Sequence, residues 1–219
     1  MHEDRFEGGR PVGPLKPPPP APGESPANCH RCDLWRRATQ AVAGEGARRA
    51  SIMLVGEQPG DEEDLRGHPF VGPAGRLLDG ILEEAALNRA SLYITNAVKH
   101  FKWEPRGKRR LHKKPGLREI NACGVWLELE IAKVAPATIV ALGSTALRAL
   151  TGASLTIAVA RGAELRHAGG ARILASYHPS AILRAEGAHA RELRKGLVED
   201  LRRARKLADA SAANVAPAR

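Results

Sequence analysis

The sequence predicts an α/β fold in which a four-stranded parallel sheet lies between two layers of helices. Four short apolar runs, each bounded by glycine or polar residues, have the pattern of buried strands: 52–55, 92–95, 138–143 and 172–176. Helical patterns fall between these runs. Strands that are buried on both faces and alternate with helices are typical of parallel sheets. We therefore expect a three-layer αβα sandwich.

The spacing of apolar residues also predicts the helical segments. Apolar residues recur at helical spacing after the first strand, and Ser144 is a typical residue for the start of a helix. Residues 152–170 have the pattern of a hairpin or loop. The predicted helices cover 77–86, 117–134, 144–150 and 189–207.

Length and composition indicate one domain. A chain of 219 residues with 43% hydrophobic residues can bury one core. Residues 1–27 are rich in proline, with Pro17–Pro20 in one run, and we expect a disordered leader there. The predicted domain covers 28–208, and 209–219 form a flexible tail.

The charge balance favours a polyanionic partner. The chain has 34 Lys and Arg against 24 Asp and Glu, a formal net charge of +10. No apolar run approaches the roughly 20 residues needed to span a bilayer, and the polar amino terminus lacks a signal-peptide core. We expect a cytoplasmic protein without membrane contact. A monomer is the expected state, although no pattern in the sequence fixes it.

Polar side chains follow three of the predicted strands. Glu57 and Gln58 lie in the turn Gly56–Gly60, Asn96 follows the second strand, and His178 follows the fourth. Ligands bind at the carboxyl edge of open α/β sheets, so these side chains are expected to meet there. Each also has a plainer interpretation, since Gly-Pro turns and turn-capping Asn residues are common after strands.

A strongly basic segment, 101–115, follows the second strand. It contains seven Lys or Arg residues, two aromatic residues and one histidine, His112. Such a run is usually a solvated surface. Its aromatic residues and its place between two core elements favour binding to a phosphate backbone. Taken alone, His112 is typical of a surface histidine.

Three cysteines suit a reducing compartment better than a disulfide framework. Cys29 and Cys32 are spaced either for a metal or for a redox dithiol. A redox motif should follow a strand, whereas this pair precedes every predicted strand, which favours a pair of metal ligands. Cys123 lies on the helix 117–134.

Several motifs, in order, resemble the uracil-DNA glycosylase superfamily. The motifs are Gly56-Glu57-x-Pro59-Gly60, Gly67-x-Pro69-Phe70-Val71-Gly72-Pro73-Ala74-Gly75, Thr95-Asn96-x-Val98-Lys99 and His178-Pro179-Ser180. They are similar to those of the iron–sulfur family 4 enzymes. Gln58 and the segment Lys108-Arg109-Arg110-Leu111-His112, similar to a KRRIH insertion, resemble the UdgX branch. Leu111 in place of isoleucine is a mild departure.

The resemblance implies how a flipped uracil would be read. Phe70 would stack on the base. Asn96 would donate to uracil O4 and accept from N3–H, a pattern that cytosine reverses. His178 would donate to uracil O2, where negative charge grows as the glycosidic bond breaks. Gln58 or the turn at Gly60 and Asp61 would exclude the methyl group of thymine.

The resemblance also implies an unusual outcome. In UdgX-type proteins the histidine that matches His112 captures the sugar cation at C1′ and stays attached to the DNA. Glu57 would hold that ring neutral and oriented. The DNA, preferably single-stranded and containing uracil, would be bound by the residues Lys108, Arg109, Arg110, Ser180 and Arg184.

A metal centre is implied by the same resemblance. Cys29, Cys32, His100 and Cys123 would hold a [4Fe–4S] cluster, with His100 where family 4 enzymes have a third cysteine. The residues alone permit structural zinc equally well, since three cysteines and one histidine are a common zinc set.

Two other functions remain open on the sequence. One is an ordinary family 4 glycosylase that releases uracil over many turnovers, and it differs in the fate of His112. The other is a metal-stabilised DNA-binding module without chemistry, which would bind uracil and thymine DNA equally.

Overall fold

The computed structural model describes residues 17–215, with side chains described up to residue 211. No helix within this range is long and apolar enough to cross a membrane. The strands in chain order are β1 (Glu45–Gly46), β2 (Ile52–Gly56), β3 (Tyr93–Asn96), β4 (Trp103–Arg106), β5 (Arg109–His112), β6 (Thr138–Leu142), β7 (Leu165–Arg166) and β8 (Arg172–Ser176). The helices are α1 (Asp61–Arg66), α2 (Pro73–Glu84), α3 (Leu117–Val134), α4 (Ser144–Thr151), α5 (Ile157–Ala160), α6 (Pro179–Arg184) and α7 (Gly187–Val215).

The central sheet has the strand order β1-β3-β2-β6-β8-β7. The four inner strands are parallel, which confirms the predicted α/β fold and its four-stranded parallel core. The sequence did not indicate the two outer strands. β1 and β7 are each two residues long and pair antiparallel with β3 and β8. Strands this short carry no periodicity that sequence analysis could detect.

Two apolar layers cover the sheet, one on each face. Along β2, Met53 and Val55 pack in the layer that contains α3 and α4, while Ile52 and Leu54 pack in the layer that contains α2 and α7. Successive side chains of a strand point to opposite faces, so continuous apolar runs are what a doubly covered sheet requires. The predicted three-layer sandwich is therefore observed.

The parallel register brings the carboxyl ends of the strands to one edge. Gly56 pairs with Asn96, and Leu142 pairs with Ser176. Gly143 then turns the chain into α4 with φ +90°, a left-handed conformation that favours glycine. A Cβ at Gly143 would lie 3.2 Å from the Cβ of His178, so the small residue also leaves room for the imidazole.

The basic segment is a β-hairpin rather than the loop that the sequence suggested. β4 and β5 pair antiparallel, with Trp103 opposite His112 and Arg106 opposite Arg109. The two-residue turn begins with Gly107 at φ +58°, as tight hairpin turns require. Because the segment has few apolar residues, the alternation typical of a strand is hidden. Arg110 and His112 are two residues apart and so share one face.

The ends of the domain differ from the predicted boundaries. Residues 17–27 fall in the predicted leader, yet Arg31 donates to the carbonyls of Pro18 and Pro19 and pairs with Glu24. The last helix continues to Val215, beyond the predicted end at Leu207. Residues 1–16 of the leader and 216–219 of the tail lie outside the described part of the chain.

Candidate active site

A cavity of about 910 Å³ opens at the carboxyl edge of the sheet. The hairpin β4–β5, α1, the start of α2 and the loop after β8 surround it. Ten of the residues that the sequence singled out line it: Glu57, Gln58, Gly60, Asp61, Phe70, Asn96, His112, His178, Ser180 and Arg184. Four of them, Glu57, Gln58, Asn96 and His178, are the side chains that the strand pattern brings to this edge, and the other six come from the family resemblance. Lys108, Arg109 and Arg110 are not among the lining residues.

Asn96 and Phe70 lie together at the inner end of the cavity. Both are buried, and the space above Gly56 is filled by the Asn96 amide and the Phe70 ring, so any side chain at position 56 would collide with them. Phe70 adopts φ +55°, which is rare for a residue with a Cβ. An amide beside an aromatic face is a suitable site for a planar heterocycle with adjacent donors and acceptors.

Glu63 holds the loop that carries Phe70. Its carboxylate accepts the backbone N–H groups of Val71 and Gly72 at 3.0 and 2.7 Å, and that of Gly60 at 3.0 Å. One buried carboxylate therefore ties the turn after β2 to the Phe70 loop. These three hydrogen bonds stabilise the loop, since each N–H group would lack an acceptor if the loop moved. Their stabilisation offsets the backbone strain at Phe70.

A buried lysine supports Asn96 from below. The ammonium of Lys99 donates to the carbonyl of Asn96, to the hydroxyl of Thr95 and to the carboxylate of Glu130, at 2.7 to 2.8 Å. Lys99 is fully buried, so its charge requires this partner. The pair fixes the end of β3 from which Asn96 projects.

His178 presents one defined edge to the cavity. Its Nδ1 accepts the backbone N–H of Ser180 at 3.1 Å and lies 2.8 Å from the Ser180 hydroxyl. Burial lowers the pKa of His178 to about 4, against an opposing effect of Glu57. A neutral imidazole whose Nδ1 is an acceptor carries its proton on Nε2. His178 is therefore a hydrogen-bond donor toward the cavity.

Glu57 joins the hairpin to the sheet edge. Its Oε1 lies 3.3 Å from His112 Nε2, and its other carboxylate oxygen accepts the hydroxyl of Thr145 from α4. Burial alone would raise the pKa of Glu57, but the bonds from His112 and Thr145 outweigh it and lower the pKa. The carboxylate is thus ionised near neutral pH and can accept an N–H from His112, whose side chain is 50% exposed.

Arg110 anchors the hairpin to α1. Its guanidinium lies 2.5 Å from the carboxylates of both Asp61 and Asp64, and Asp64 is fully buried. It also lies over the rings of Phe101 and Trp103. The sequence had placed Arg110 on DNA phosphates. In the structure its charge is paired with two carboxylates. These ion pairs hold the strand that carries His112 against α1.

Gln58 makes a second connection to the hairpin. Its amide nitrogen donates to the carbonyls of Lys102 and Lys113, and its amide oxygen accepts the N–H of Lys102. These residues flank the two strands of the hairpin, so Gln58 holds both ends of its base. Gln58 also lines the cavity, but both the nitrogen and the oxygen of its side-chain amide are hydrogen-bonded to the hairpin.

The remaining predicted DNA contacts are on the surface. Lys108 and Arg109 are exposed at the turn of the hairpin, and Arg184 is exposed at the end of α6 on the cavity wall. Within the described residues none of these three has a salt bridge. Ser180 lies on the cavity wall, with its hydroxyl beside His178.

The predicted metal ligands lie away from the cavity. Cys29 and Cys123 are buried in one core cluster, and Cys32 packs against it. The sulfurs of Cys29 and Cys123 each accept an N–H at 3.2 Å, from Trp126 and from the backbone of Lys99. Burial lowers the pKa of His100. Among residues 17–215, no three His, Cys, Asp or Glu are close enough to hold a single metal ion.

Sequence analysis did not find the residues that support the site. Glu63, Lys99, Glu130 and Thr145 carry its hydrogen bonds, yet none was assigned a role; for Asp64 the sequence left open a bond within its loop or a part in positioning His112. Lys99 and Asp64 are fully buried charges that need partners, but their burial is visible only in the structure. Thr145 offered no signal at all, since its partner Glu57 is 88 residues away.

Glu63→Gln tests the bond set beneath Phe70. Its amide nitrogen cannot accept an N–H, so at least one buried donor loses its acceptor. We expect a loss of about 1–3 kcal/mol in the free energy of unfolding, measured by urea denaturation. Glu62→Gln is the matched control, because Glu62 pairs with Arg66 and Arg76 at the surface and should cost at most about 1 kcal/mol. Equal effects for the two variants would contradict the role of Glu63.

The low pKa of His178 predicts a pH-dependent stability. The folded pKa of about 4 lies below the ordinary value of 6.5. Between these values the unfolded chain binds a proton that the folded chain does not. The stability that the folded chain has because His178 stays neutral is fully present above pH 6.5 and is lost as the pH falls toward 4. We call the difference in free energy of unfolding between wild type and His178→Asn the stability gap. As the pH falls over this range, the wild type should lose up to about 3 kcal/mol of stability relative to His178→Asn.

His189→Asn is the control for that measurement, because His189 is exposed on α7. Its stability gap to wild type should change less than that of His178→Asn between pH 7 and pH 4, because the exposed ring has no burial cost in the folded chain. Urea denaturation at several pH values measures both gaps. A constant gap for His178→Asn would show that burial does not depress its pKa.

Comparisons with known proteins agree with the geometry. The model of the uracil DNA glycosylase superfamily matches residues 43–202. The chain is 39% identical over 178 residues to a type-4 uracil-DNA glycosylase of Thermotoga maritima, covering 81% of this chain and 88% of the relative. It is 36% identical to the type-4 enzyme of Archaeoglobus fulgidus, covering 71% and 78%.

A type-5 uracil-DNA glycosylase of Pyrobaculum aerophilum is 32% identical, over 69% of this chain and 71% of the relative. The matched residues include β2, β3, β6 and β8 and therefore all the strand ends around the cavity. This chain belongs to the uracil DNA glycosylase superfamily.

Proposed function

We propose that this protein excises uracil from DNA and ends the reaction as a covalent protein–DNA adduct through His112. The observation that carries the proposal is the position of His112. The hairpin holds its ring 3.3 Å from the Glu57 carboxylate, on the wall of the cavity that also contains Asn96, Phe70 and His178. The relatives, named as uracil-DNA glycosylases, support the substrate and the role in DNA repair.

Base recognition falls to Asn96 and Phe70. A glycosylase must extrude its base from the stack and read its hydrogen-bonding edge. The buried amide of Asn96 donates to uracil O4 and accepts from N3–H, and cytosine would reverse both groups. Phe70 supplies the stacking face. Because Gln58 is committed to the hairpin, the turn at Gly60 and Asp61 is the better candidate for excluding the thymine methyl.

His178 stabilises the leaving group. Its Nδ1 accepts from Ser180, so the Nε2–H group is available to uracil O2. Negative charge grows on that oxygen as the bond from C1′ to N1 breaks, and a fixed donor in a partly dry cavity stabilises it. A neutral donor is suited to this role because it does not have to transfer its proton.

His112 captures the cation that remains on the sugar. One ring nitrogen donates to Glu57, which leaves the lone pair of the other nitrogen free to attack C1′. The negative charge of Glu57 also stabilises the positive charge that forms on the sugar and then on the ring. The half-exposed ring lies at the mouth of the cavity, where the sugar of a flipped nucleotide would be.

The two features that resemble the UdgX branch depend on each other. Gln58 holds both ends of the hairpin base, and the hairpin carries His112. A glutamine at this position is therefore useful only together with the hairpin. This physical link supports a common function for the two features.

DNA contacts are assigned to the exposed cations around the cavity. Lys108 and Arg109 are exposed at the hairpin turn, and Ser180 and Arg184 line the cavity, which supports their assignment to phosphates that flank the flipped nucleotide. Single-stranded DNA is the expected preferred substrate, because its nucleotides need no unpairing before they enter the cavity.

A multiple-turnover glycosylase is the second candidate, favoured by the type-4 names of the relatives from Thermotoga maritima and Archaeoglobus fulgidus. In that case water would capture the sugar cation, with Glu57 orienting it. The same residues would read and release uracil. The two candidates differ only in what attacks C1′.

A denaturing gel separates them. We expect wild-type protein incubated with uracil-containing single-stranded DNA to give a shifted band that survives heat and detergent. His112→Ala should abolish this band, because no nitrogen is left to attack C1′, and should release free uracil instead. His189→Ala is the control and should crosslink as wild type does.

A wild-type protein that releases uracil without a shifted band would contradict the adduct and leave the multiple-turnover function. A protein that binds uracil and thymine DNA equally, with neither product, would contradict both. A band that persists in His112→Ala would assign the nucleophile to another residue.

The proposed [4Fe–4S] cluster is assigned to Cys29, Cys32, His100 and Cys123. The three cysteines lie in and against one buried cluster, two sulfurs accept N–H groups, and the lowered pKa of His100 favours the neutral form that binds metal. Ligands of a cluster bind different iron atoms and can lie farther apart than ligands of a single ion. When bound, the cluster would tie the amino-terminal segment to α3 and the end of β3.

The metal content tests this assignment. Protein purified without air should be brown, with about four iron atoms per chain. His100→Ala should lower the iron content, whereas His30→Ala, which changes an exposed histidine inside the cysteine pair, should not. A colourless protein with one zinc per chain would establish the zinc alternative and contradict the cluster.

A further inference from the structure

Thr145 is a buried residue on the first turn of α4, directly behind Glu57. Its hydroxyl donates to the carboxylate oxygen of Glu57 that does not face His112. β2 and β6 are adjacent parallel strands, so their carboxyl ends place the turn of Glu57 beside the start of α4. No substrate, DNA or metal role falls to Thr145 in the proposed function.

The bond limits how the carboxylate can turn. Glu57 has a side chain with three rotatable bonds and is 21% exposed, so a single bond to the half-exposed His112 would hold it weakly. With Thr145 on one oxygen, the other oxygen is directed at the hairpin. Both bonds also favour the ionised carboxylate over the neutral acid.

We propose that Thr145 is a positioning residue that fixes Glu57 so that His112, rather than water, captures the sugar cation. This inference rests on the proposed function and deepens it. Thr145 is not among the residues that line the cavity, so it acts through the orientation of Glu57. The residue therefore sets the partition between the covalent adduct and free abasic DNA.

The step that Thr145 influences is the transfer of C1′ from uracil to His112. The bond from C1′ to N1 breaks and its electron pair leaves with uracil, whose O2 is stabilised by His178. The lone pair of the His112 nitrogen that is free of Glu57 forms a bond to C1′. The imidazolium keeps its other ring proton hydrogen-bonded to the ionised Glu57 and releases it to solvent, and the uracil anion gains a proton from solvent. In the competing route, water attacks C1′ and loses a proton.

Thr145→Val and Thr145→Ser form the matched pair for the test. Valine keeps the shape of threonine and removes the hydroxyl, while serine keeps the hydroxyl. A hydrogen bond to a charged group contributes enough that its loss should slow adduct formation about tenfold or more. We expect Thr145→Val to form the adduct more slowly and to release more free uracil per adduct, and Thr145→Ser to restore the wild-type partition.

Two controls separate positioning from folding. Thr151→Val changes another threonine of α4, whose hydroxyl donates to the carbonyl of Leu147, and it should keep the wild-type partition. In a Glu57→Gln background, Thr145→Val should add no further loss, because the two residues act as one unit. If Thr145→Val does not fold, Thr145→Ala takes its place, and melting temperatures are compared throughout.

The outcomes are distinct. An active wild type with an unchanged partition in folded Thr145→Val would overturn the role of Thr145 and leave the proposed function intact. Additive losses in the Glu57→Gln background, or no rescue by a folded Thr145→Ser, would overturn it as well. A wild type that forms neither adduct nor free uracil would overturn the proposed function and this inference with it.

Discussion

The ion pairs of Arg110 with Asp61 and Asp64 hold the hairpin over the cavity, and the position of His112 depends on them. Asp64 is fully buried and Arg110 is only 19% exposed, so loss of Arg110 would leave the buried carboxylate of Asp64 without its cationic partner. Breaking such a pair costs roughly 3–5 kcal/mol. Because Arg110 and His112 share one face of β5, the anchor and the imidazole are placed together.

The hairpin is held in place mainly by polar contacts, which include those of Gln58 and the bond from Trp103 to the carbonyl of Arg37. It has few apolar side chains to bury, and its turn is exposed. Polar connections therefore replace a core: Gln58 binds its base and Arg110 its middle. An element held in this way has one preferred position over the cavity, which a nucleophile needs if it is to meet a reacting carbon.

Two histidines at the same cavity acquire different chemistry from their surroundings. Burial keeps His178 neutral, and the bond from Ser180 to Nδ1 leaves its proton on the nitrogen that faces the cavity, which makes it a donor. His112 is half exposed and faces a carboxylate, which leaves one nitrogen with a free lone pair. Thus the difference between a leaving-group stabiliser and a nucleophile comes from hydrogen-bond partners and not from the residue type.

The parallel core and the meeting of Glu57, Gln58, Asn96 and His178 follow from local patterns, whereas the other candidate site residues came from the family resemblance. Buried strands such as Ile52–Gly56 read as apolar runs, and parallel strands deliver their following residues to one edge. The hairpin was missed because charged residues hide its alternation, and the role of Arg110 was missed because its partners lie 46 and 49 positions away. Glu63, Lys99 and Thr145 were missed for the same reason: long-range polar bonds leave no periodic signal.

The identity of the atom that captures the sugar is the central claim, and peptide mapping by mass spectrometry tests it most directly. Wild-type protein is incubated with uracil-containing single-stranded DNA, the DNA is digested with nucleases, and the protein is cleaved into peptides. The account predicts a deoxyribose remnant on the imidazole of His112. An unmodified His112 peptide together with free uracil in solution, or a remnant on a different residue, would contradict it.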